Sequence, residues 1–217
     1  MDFAAERSDL SRIRGMSSLL VRRSAMKTVI VGADDRDAEP LYDGALEHIR
    51  RSYCTAFSAD TDIRPARLVV TLARSGQIAC AAGIRCHDEG FFSQQYLDEP
   101  VSDVIARKTG GDMGPRDILE VGGLACSTPF AAYPTLRAVF EWGRERRIGW
   151  GLFTATAEVR RLIQRSKIAP LMLARAEAAR VCDPARWGSY YEHDPWVCAF
   201  RDPSQGQGPV IPHAESA

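Results

Sequence analysis

The chain has 217 residues, with 28 basic and 28 acidic side chains giving a formal net charge of zero. Global charge therefore offers no reason for it to bind nucleic acid or an anionic membrane surface. A hydrophobic fraction of 45% and a charged fraction of 26% fit an ordinary globular protein, long enough to bury a core without staples. No stretch approaches the roughly 20 apolar residues that span a bilayer. The first apolar run, Met16 to Val21, is short and leads into Arg22 and Arg23, not a cleavage site. None of the six cysteines forms a C-x-x-C pair, and the four histidines add no zinc spacing, so no metal is expected. Cys80, Cys126 and Cys198 lie in apolar runs, where a cysteine behaves as a small hydrophobe. This usage predicts free thiols in a reduced, cytoplasmic protein.

Residues 1–25 mix Arg, Ser and Ala without period and predict a flexible N-terminal arm. Residues 26–202 read as one domain. Residues 203–217, rich in Gly, Pro, Ser and Gln, predict a disordered tail.

Within the domain the elements alternate. Thr28 to Val31 is a short β-branched strand. Ala38 to Phe57 is helical, with Leu41, Ala45, Ile49, Tyr53 and Phe57 on one face. Leu68 to Ala73 and Ile78 to Ile84 form a hairpin around Ser75-Gly76. A short helix from Pro100 to Lys108 stops at Gly110-Gly111. Ile118 to Cys126 is a strand. Pro134 to Arg147 is a helix with proline at its start and Gly149 past its end. Trp150 to Thr154 is a strand, Ala157 to Arg165 a basic helix, and Trp196 to Phe200 a last strand. Met172 to Val181 fits strand or helix. Helices crossing between strands argue for an α/β or α+β sheet covered by helices.

Five strings stand in order along this frame: Phe57-Ser58-Ala59, Phe91-Phe92-Ser93-Gln94-Gln95-Tyr96-Leu97-Asp98, Glu120-Val121-Gly122-Gly123-Leu124-Ala125, Phe153-Thr154-Ala155-Thr156 and Trp187-Gly188-Ser189-Tyr190-Tyr191. From about Leu41 to Phe200 they resemble the thermostable hemolysin family, with one departure: Gly123 stands where the family usually has Asn. That resemblance implies a GNAT-like mixed central sheet with helices on both faces and a splayed parallel strand pair. The chain is also similar to acyl-homoserine-lactone synthases, which place a Glu on the matching central strand and use acyl-carrier protein as donor.

The resemblance implies acyl transfer from a phosphopantetheine thioester to a small-molecule amine acceptor, with no permanently bound cofactor. The thioester arm would lie between Ile118–Cys126 and Trp150–Thr154, with Leu124, Ala125, Ser127, Thr154, Thr156, Arg161 and Arg165 on the donor. Glu120, a carboxylate in an apolar strand, is expensive to bury unless paired or functional, and is the candidate general base. Tyr190 and Tyr191 are candidates for protonating the leaving thiolate, one pointing inward if the segment is extended. His193 is a candidate proton shuttle and Cys126 a candidate acyl-accepting nucleophile.

In CoA-binding GNAT enzymes a glycine-rich loop and helix N-terminus cradle the pyrophosphate. Here the segment Ser127 to Thr135 has no glycine and two prolines, each removing a donor. Arg146-Arg147-Ile148-Gly149-Trp150-Gly151 satisfies the loop pattern formally but lies between a helix end and a strand, where Gly149 reads as a helix cap. A carrier protein calls for arginines instead, and Arg137, Arg144, Arg146, Arg147, Arg160, Arg161, Arg165 and Lys167 lie on the two helices after the paired strands. The expectation is therefore an N-acyltransferase using acyl-carrier protein. An acetyl-CoA-dependent enzyme is the runner-up, and a non-catalytic or cytolytic protein on the same scaffold is the third reading.

Overall fold

A computed structural model describes residues 26–165 and 170–202, without the Arg165 side chain. The arm expected over 1–25, the tail expected over 203–217 and Lys167 lie outside the described residues. Seven strands form one mixed sheet: β1 (Lys27–Gly32), β2 (Arg67–Leu72), β3 (Ile78–Cys86), β4 (Ile118–Cys126), β5 (Trp150–Ala155), β6 (Leu171–Arg175) and β7 (Trp196–Arg201), in the order β1-β2-β3-β4-β5-β7-β6. The helices are α1 (Glu39–Phe57), α2 (Val101–Thr109), α3 (Pro129–Glu145) and α4 (Ala157–Arg165). The β4–β5 pair is parallel, and every other pair is antiparallel.

Alternation along the strands divides the core between two faces. On one face Tyr42, Ala45, Leu46 and Ile49 of α1 pack on Leu68, Val70, Ala81 and Ala125, while Val101, Val104 and Ile105 of α2 pack on Ile118 and Leu152. On the other, Val139 of α3 meets Val69, Ala82, Ile84, Leu119 and Val121. Val159 and Ile163 of α4 cover Phe153, Ala155 and Cys198 on that second face. Burying a side chain such as Leu46 or Ile49 is worth about 1.5–3 kcal/mol.

The parallel pairing is short. Its register runs Ile118 with Trp150, Leu119 with Gly151 and Glu120 with Leu152, and stops there. Residues 121–126 and 153–155 continue as strands without pairing to each other, so a gap opens between them. β4 also carries a bulge. Ala81 opposes Ala125 while Gly83 opposes Gly122, leaving β4 with one residue in excess. Gly123 supplies the turn at φ +64, a conformation that Gly adopts freely and Asn tolerates among the remaining residues. Gly in place of the family's usual Asn therefore leaves the bulge intact.

Several expectations are corrected. Helix α3 begins at Pro129, not Pro134, because Pro129 takes the first turn behind the extended Thr128. Pro134 falls inside the helix, where it deprives the Phe130 carbonyl of its partner. The Met172–Val181 segment resolves into β6 and a 3-10 helix, Ala178–Arg180. Cys80 and Cys126 are not free thiols. They are cross-strand neighbours joined by a disulfide, a pairing that sequence spacing could not reveal because it depends on the bulged register.

Candidate active site

The site forms where β4 leaves β5. Glu120, at the last paired position, is 2% exposed. The 3-10 helix Phe92–Tyr96 lies over it. Phe92 N–H donates to Glu120 Oε2 at 2.5 Å, Ser93 N–H to Oε1 at 2.8 Å, and the Ser93 hydroxyl to Oε1 at 2.5 Å. Burial pushes the carboxyl above its ordinary pKa, against the Ser93 and Phe92 hydrogen bonds and the Arg85 charge, which favour the ionised form. Ser93 Oγ also meets Thr154 Oγ1 at 2.8 Å. With its own proton given to Glu120, Ser93 accepts from Thr154. A hydroxyl chain thus runs from the buried carboxylate to the stretch of β5 that has parted from β4.

The last sequence string closes over this chain. Tyr190 is 6% exposed, and its hydroxyl donates to the Thr154 carbonyl at 3.5 Å, a long bond. Its ring packs on Phe57 at 5.2 Å, Trp187 at 5.3 Å and Tyr191 at 5.5 Å. Gly188 permits the approach, since a Cβ there would lie 2.0 Å from the Phe57 carbonyl oxygen. Ser189 N–H donates to that same oxygen at 2.8 Å. The five strings therefore converge: Glu120 touches Ser93, Ser93 touches Thr154, Thr154 touches Tyr190, and Tyr190 touches Phe57.

The tyrosines do not alternate as an extended segment would, because Tyr190–His193 is a 3-10 helix. Both enter the aromatic cluster, and the Tyr191 hydroxyl is held by that of Tyr96 at 2.8 Å. Burial raises the pKa of Tyr190 well above the phenol range, so it stays protonated. His193 is exposed, packs on Phe57 at 5.1 Å, and lines an open hollow of about 450 Å³ with Arg161, Glu192 and Asp194. Cys126 is excluded as a nucleophile twice over. Its sulfur is bonded to Cys80, and it packs with Ala131 of α3, on the face opposite Glu120.

The donor candidates divide likewise. Ala125 is buried under α1, and its carbonyl meets His48 Nε2 at 3.2 Å. Leu124 packs toward α3. Thr156 is buried at the end of β5, its carbonyl accepting from Arg160 N–H. The Ser127 amide is committed to Ala79 O at 2.8 Å and Ala131 N–H to Thr128 O at 3.1 Å. With Pro129 donating nothing, the start of α3 has few amides left for a pyrophosphate. Two exposed aromatics, Phe130 at 82% and Tyr133 at 74%, occupy this end instead.

The expected basic surface is dispersed. Arg144 and Arg146 lie in the last turn of α3 and at its cap, beside the beginning of β5 and away from the gap. Arg144 pairs with Asp202, Arg146 stacks on Trp142 and Arg137 pairs with Glu141. Arg160 bonds Ala155 O at 2.9 Å and the Asp194 backbone and carboxylate. It is thus a clamp that fixes the Tyr190–His193 turn to the end of β5. Arg161 remains exposed on α4, lining the hollow with Glu192, His193 and Asp194.

Residues 36–204 match the family described as thermostable hemolysin. The chain belongs to that family. Among curated proteins none matches it. Solved structures similar to this family member include the AHL synthase LasI, at 10% identity over 82% of this chain and 90% of that one, with a TM-score of 0.55. The CoA-dependent acyl-homoserine lactone synthase BjaI, solved with SAM and isopentyl-CoA, shares 11% identity over 83% and 85%, with a TM-score of 0.54. FeeM, an N-acyl amino acid synthase from uncultured soil microbes, shares 14% over 80% and 94%, with a TM-score of 0.52. The likeness establishes the GNAT-like fold with its parallel pair.

Proposed function

We propose that this protein is an N-acyltransferase that takes an acyl group from a phosphopantetheine thioester lying between β4 and β5 and passes it to an amine beside Glu120. The observation that carries the reading is the parting of the strands directly beyond Glu120 and Leu152, with the buried carboxylate wired through Ser93 to Thr154. The amine attacks the thioester carbonyl, a C–N bond forms, the C–S bond breaks and a thiolate leaves. The amine proton passes to Thr154 Oγ1 as the Thr154 proton moves to Ser93 and that of Ser93 to Glu120. The raised pKa of Glu120 suits it to hold that proton. Backbone amides of the parted strands face the developing oxyanion, and Tyr190 gives a proton to the thiolate. One proton leaves the amine and one joins the thiolate, so Glu120 resupplies Tyr190 and the protein returns to its starting state. That the solved relatives are named as acyl-homoserine lactone or N-acyl amino acid synthases supports acyl transfer.

We take the donor to be acyl-carrier protein. The depleted amides at the start of α3 and the exposed Phe130 and Tyr133 favour a protein-borne arm over a pyrophosphate. The basic surface no longer contributes more than Arg161. The test is product formation from octanoyl-carrier protein, octanoyl-CoA and octanoyl-pantetheine with a panel of amines. The carrier is expected to be used best; CoA matching it transfers the assignment to the CoA-dependent reading. Glu120→Gln should lower turnover by about 10² or more in a folded protein. No transfer from any of the three thioesters, with dye released from vesicles, would favour the lytic reading instead.

A further inference from the structure

Arg85 stands apart among the arginines. It is half-buried on β3, and among the described residues its guanidinium makes no hydrogen bond or ion pair. Every other arginine with a described side chain is either ion-paired or exposed to solvent: Arg67 pairs with Glu89, Arg160 with Asp194 and Arg50 with Asp62, for example. A guanidinium withdrawn from water without a partner is costly. Its position is specific. In the β3–β4 register Arg85 is directly opposite Glu120, on the same face, with Cβ atoms about 5 Å apart. Proximity alone would make them an ion pair. They do not form one, because the Glu120 oxygens are engaged by Phe92 and Ser93. The Arg85 charge reaches Glu120 only through space.

We propose that Arg85 is a carboxylate-binding residue, and that the acyl acceptor is an α-amino acid. This deepens the acyltransfer reading and rests on it for the word acceptor. An α-amino acid has its amine and carboxylate on one carbon. The amine addresses the Thr154–Ser93–Glu120 chain, and the carboxylate turns back across Glu120 to the long Arg85 side chain, whose planar fork accommodates two oxygens at once. The substrate anion completes the pair that Glu120 leaves unmade. An amine lacking the carboxylate would leave the half-buried guanidinium unpartnered, so selection works by omission as well as by attraction.

The experiment is calorimetric titration of the full chain with the proteinogenic amino acids and with their α-amides, on the natural protein, Arg85→Met and Arg85→Lys, followed by transfer assays from octanoyl-carrier protein, octanoyl-CoA and octanoyl-pantetheine with the same compounds. At least one amino acid should bind about 10- to 100-fold more tightly than its amide, the range of a charge-assisted hydrogen bond. Arg85→Met should bring that ratio to near one, and Arg85→Lys, retaining charge without the fork, should restore part of it. Equal binding of every acid and amide overturns the proposal, as does an undiminished ratio in Arg85→Met. If Arg85→Met does not fold, an Arg85→Lys ratio equal to the natural one overturns it. The two readings fail separately. Carboxylate-dependent binding without transfer removes the acyltransferase reading and leaves the anion site, whereas transfer to amides as fast as to acids does the reverse.

Discussion

Replacing Ser93 with alanine probes the centre of the site. Ser93 is 0% exposed, and its hydroxyl supplies one of three hydrogen bonds to a carboxylate that is itself 2% exposed. A hydrogen bond to a charged group is worth about 1.5–3 kcal/mol. Here it favours the ionised form, against burial that already raises the pKa. Ser93→Ala therefore lowers the ionised fraction of Glu120 by about 10- to 150-fold at any pH below the acid limb. In a pH profile of kcat/KM, with N-acyl product quantified by mass spectrometry, that limb moves to higher pH. Stability follows the same sign. The native carboxyl holds its proton more tightly than the unfolded one, so urea-measured stability declines as pH rises from the ordinary carboxylate range toward the raised native value. Ser93→Ala extends the decline to higher pH. A folded variant whose acid limb has not moved would refute Glu120 as the titrating base.

Tyr190→Phe should reduce kcat by about 10-fold or more if the phenol serves the thiolate, whereas Tyr191→Phe, losing only its bond to Tyr96, should cost about 1 kcal/mol of stability with kcat nearly kept; steady-state kinetics and thermal melts separate the two. Replacing both Cys80 and Cys126 with serine should preserve transfer while removing a cross-link of sequence separation 46, at a cost of up to about 4 kcal/mol in unfolding free energy. A complete loss of transfer in that folded double variant would return Cys126 to the mechanism. Gly188→Ala should destabilise the fold by about 3 kcal/mol or more, because its Cβ would collide with the Phe57 and Ser58 carbonyls at a positive φ; an unchanged denaturation midpoint would show that the aromatic cluster yields easily.

Much of this arrangement is local and was legible in the sequence. The β4 bounds, Ile118–Cys126, agree with the apolar run, and Glu120 is conspicuous as the one acid within it. The four-residue spacing on α1 marks the helix, although the buried set centres on Tyr42, Ala45, Leu46 and Ile49. What escaped depends on register or on long-range partners. The Cys80–Cys126 bond follows from a bulge that composition does not show. Arg160 looks like any surface arginine until Asp194, 34 positions away, is brought beside it. Ser93 sits in a string whose resemblance is plain but whose role appears only when a 3-10 helix delivers it to Glu120. The sequence puts the start of α3 one proline too late, at Pro134, because a proline inside a helix is not expected; the extended Thr128 places the start at Pro129.

The extra residue in β4 changes the parity of the strand. Before the bulge Leu119 and Val121 face α3 and Glu120 faces the 3-10 helix Phe92–Tyr96 on the other side of the sheet; beyond it Leu124 and Cys126 face α3 while Ala125 faces α1. Even-numbered residues thus point one way at the start of the strand and the opposite way at its end. A one-residue deletion at Gly122 or Gly123 would remove the excess and leave a regular ladder, with Cys126 still opposite Cys80 and Ala125 still opposite Ala81. The strand would then be free to continue its ladder with β5. The gap is thus encoded less by any side chain lining it than by a count, one residue more on β4 than on its neighbour β3.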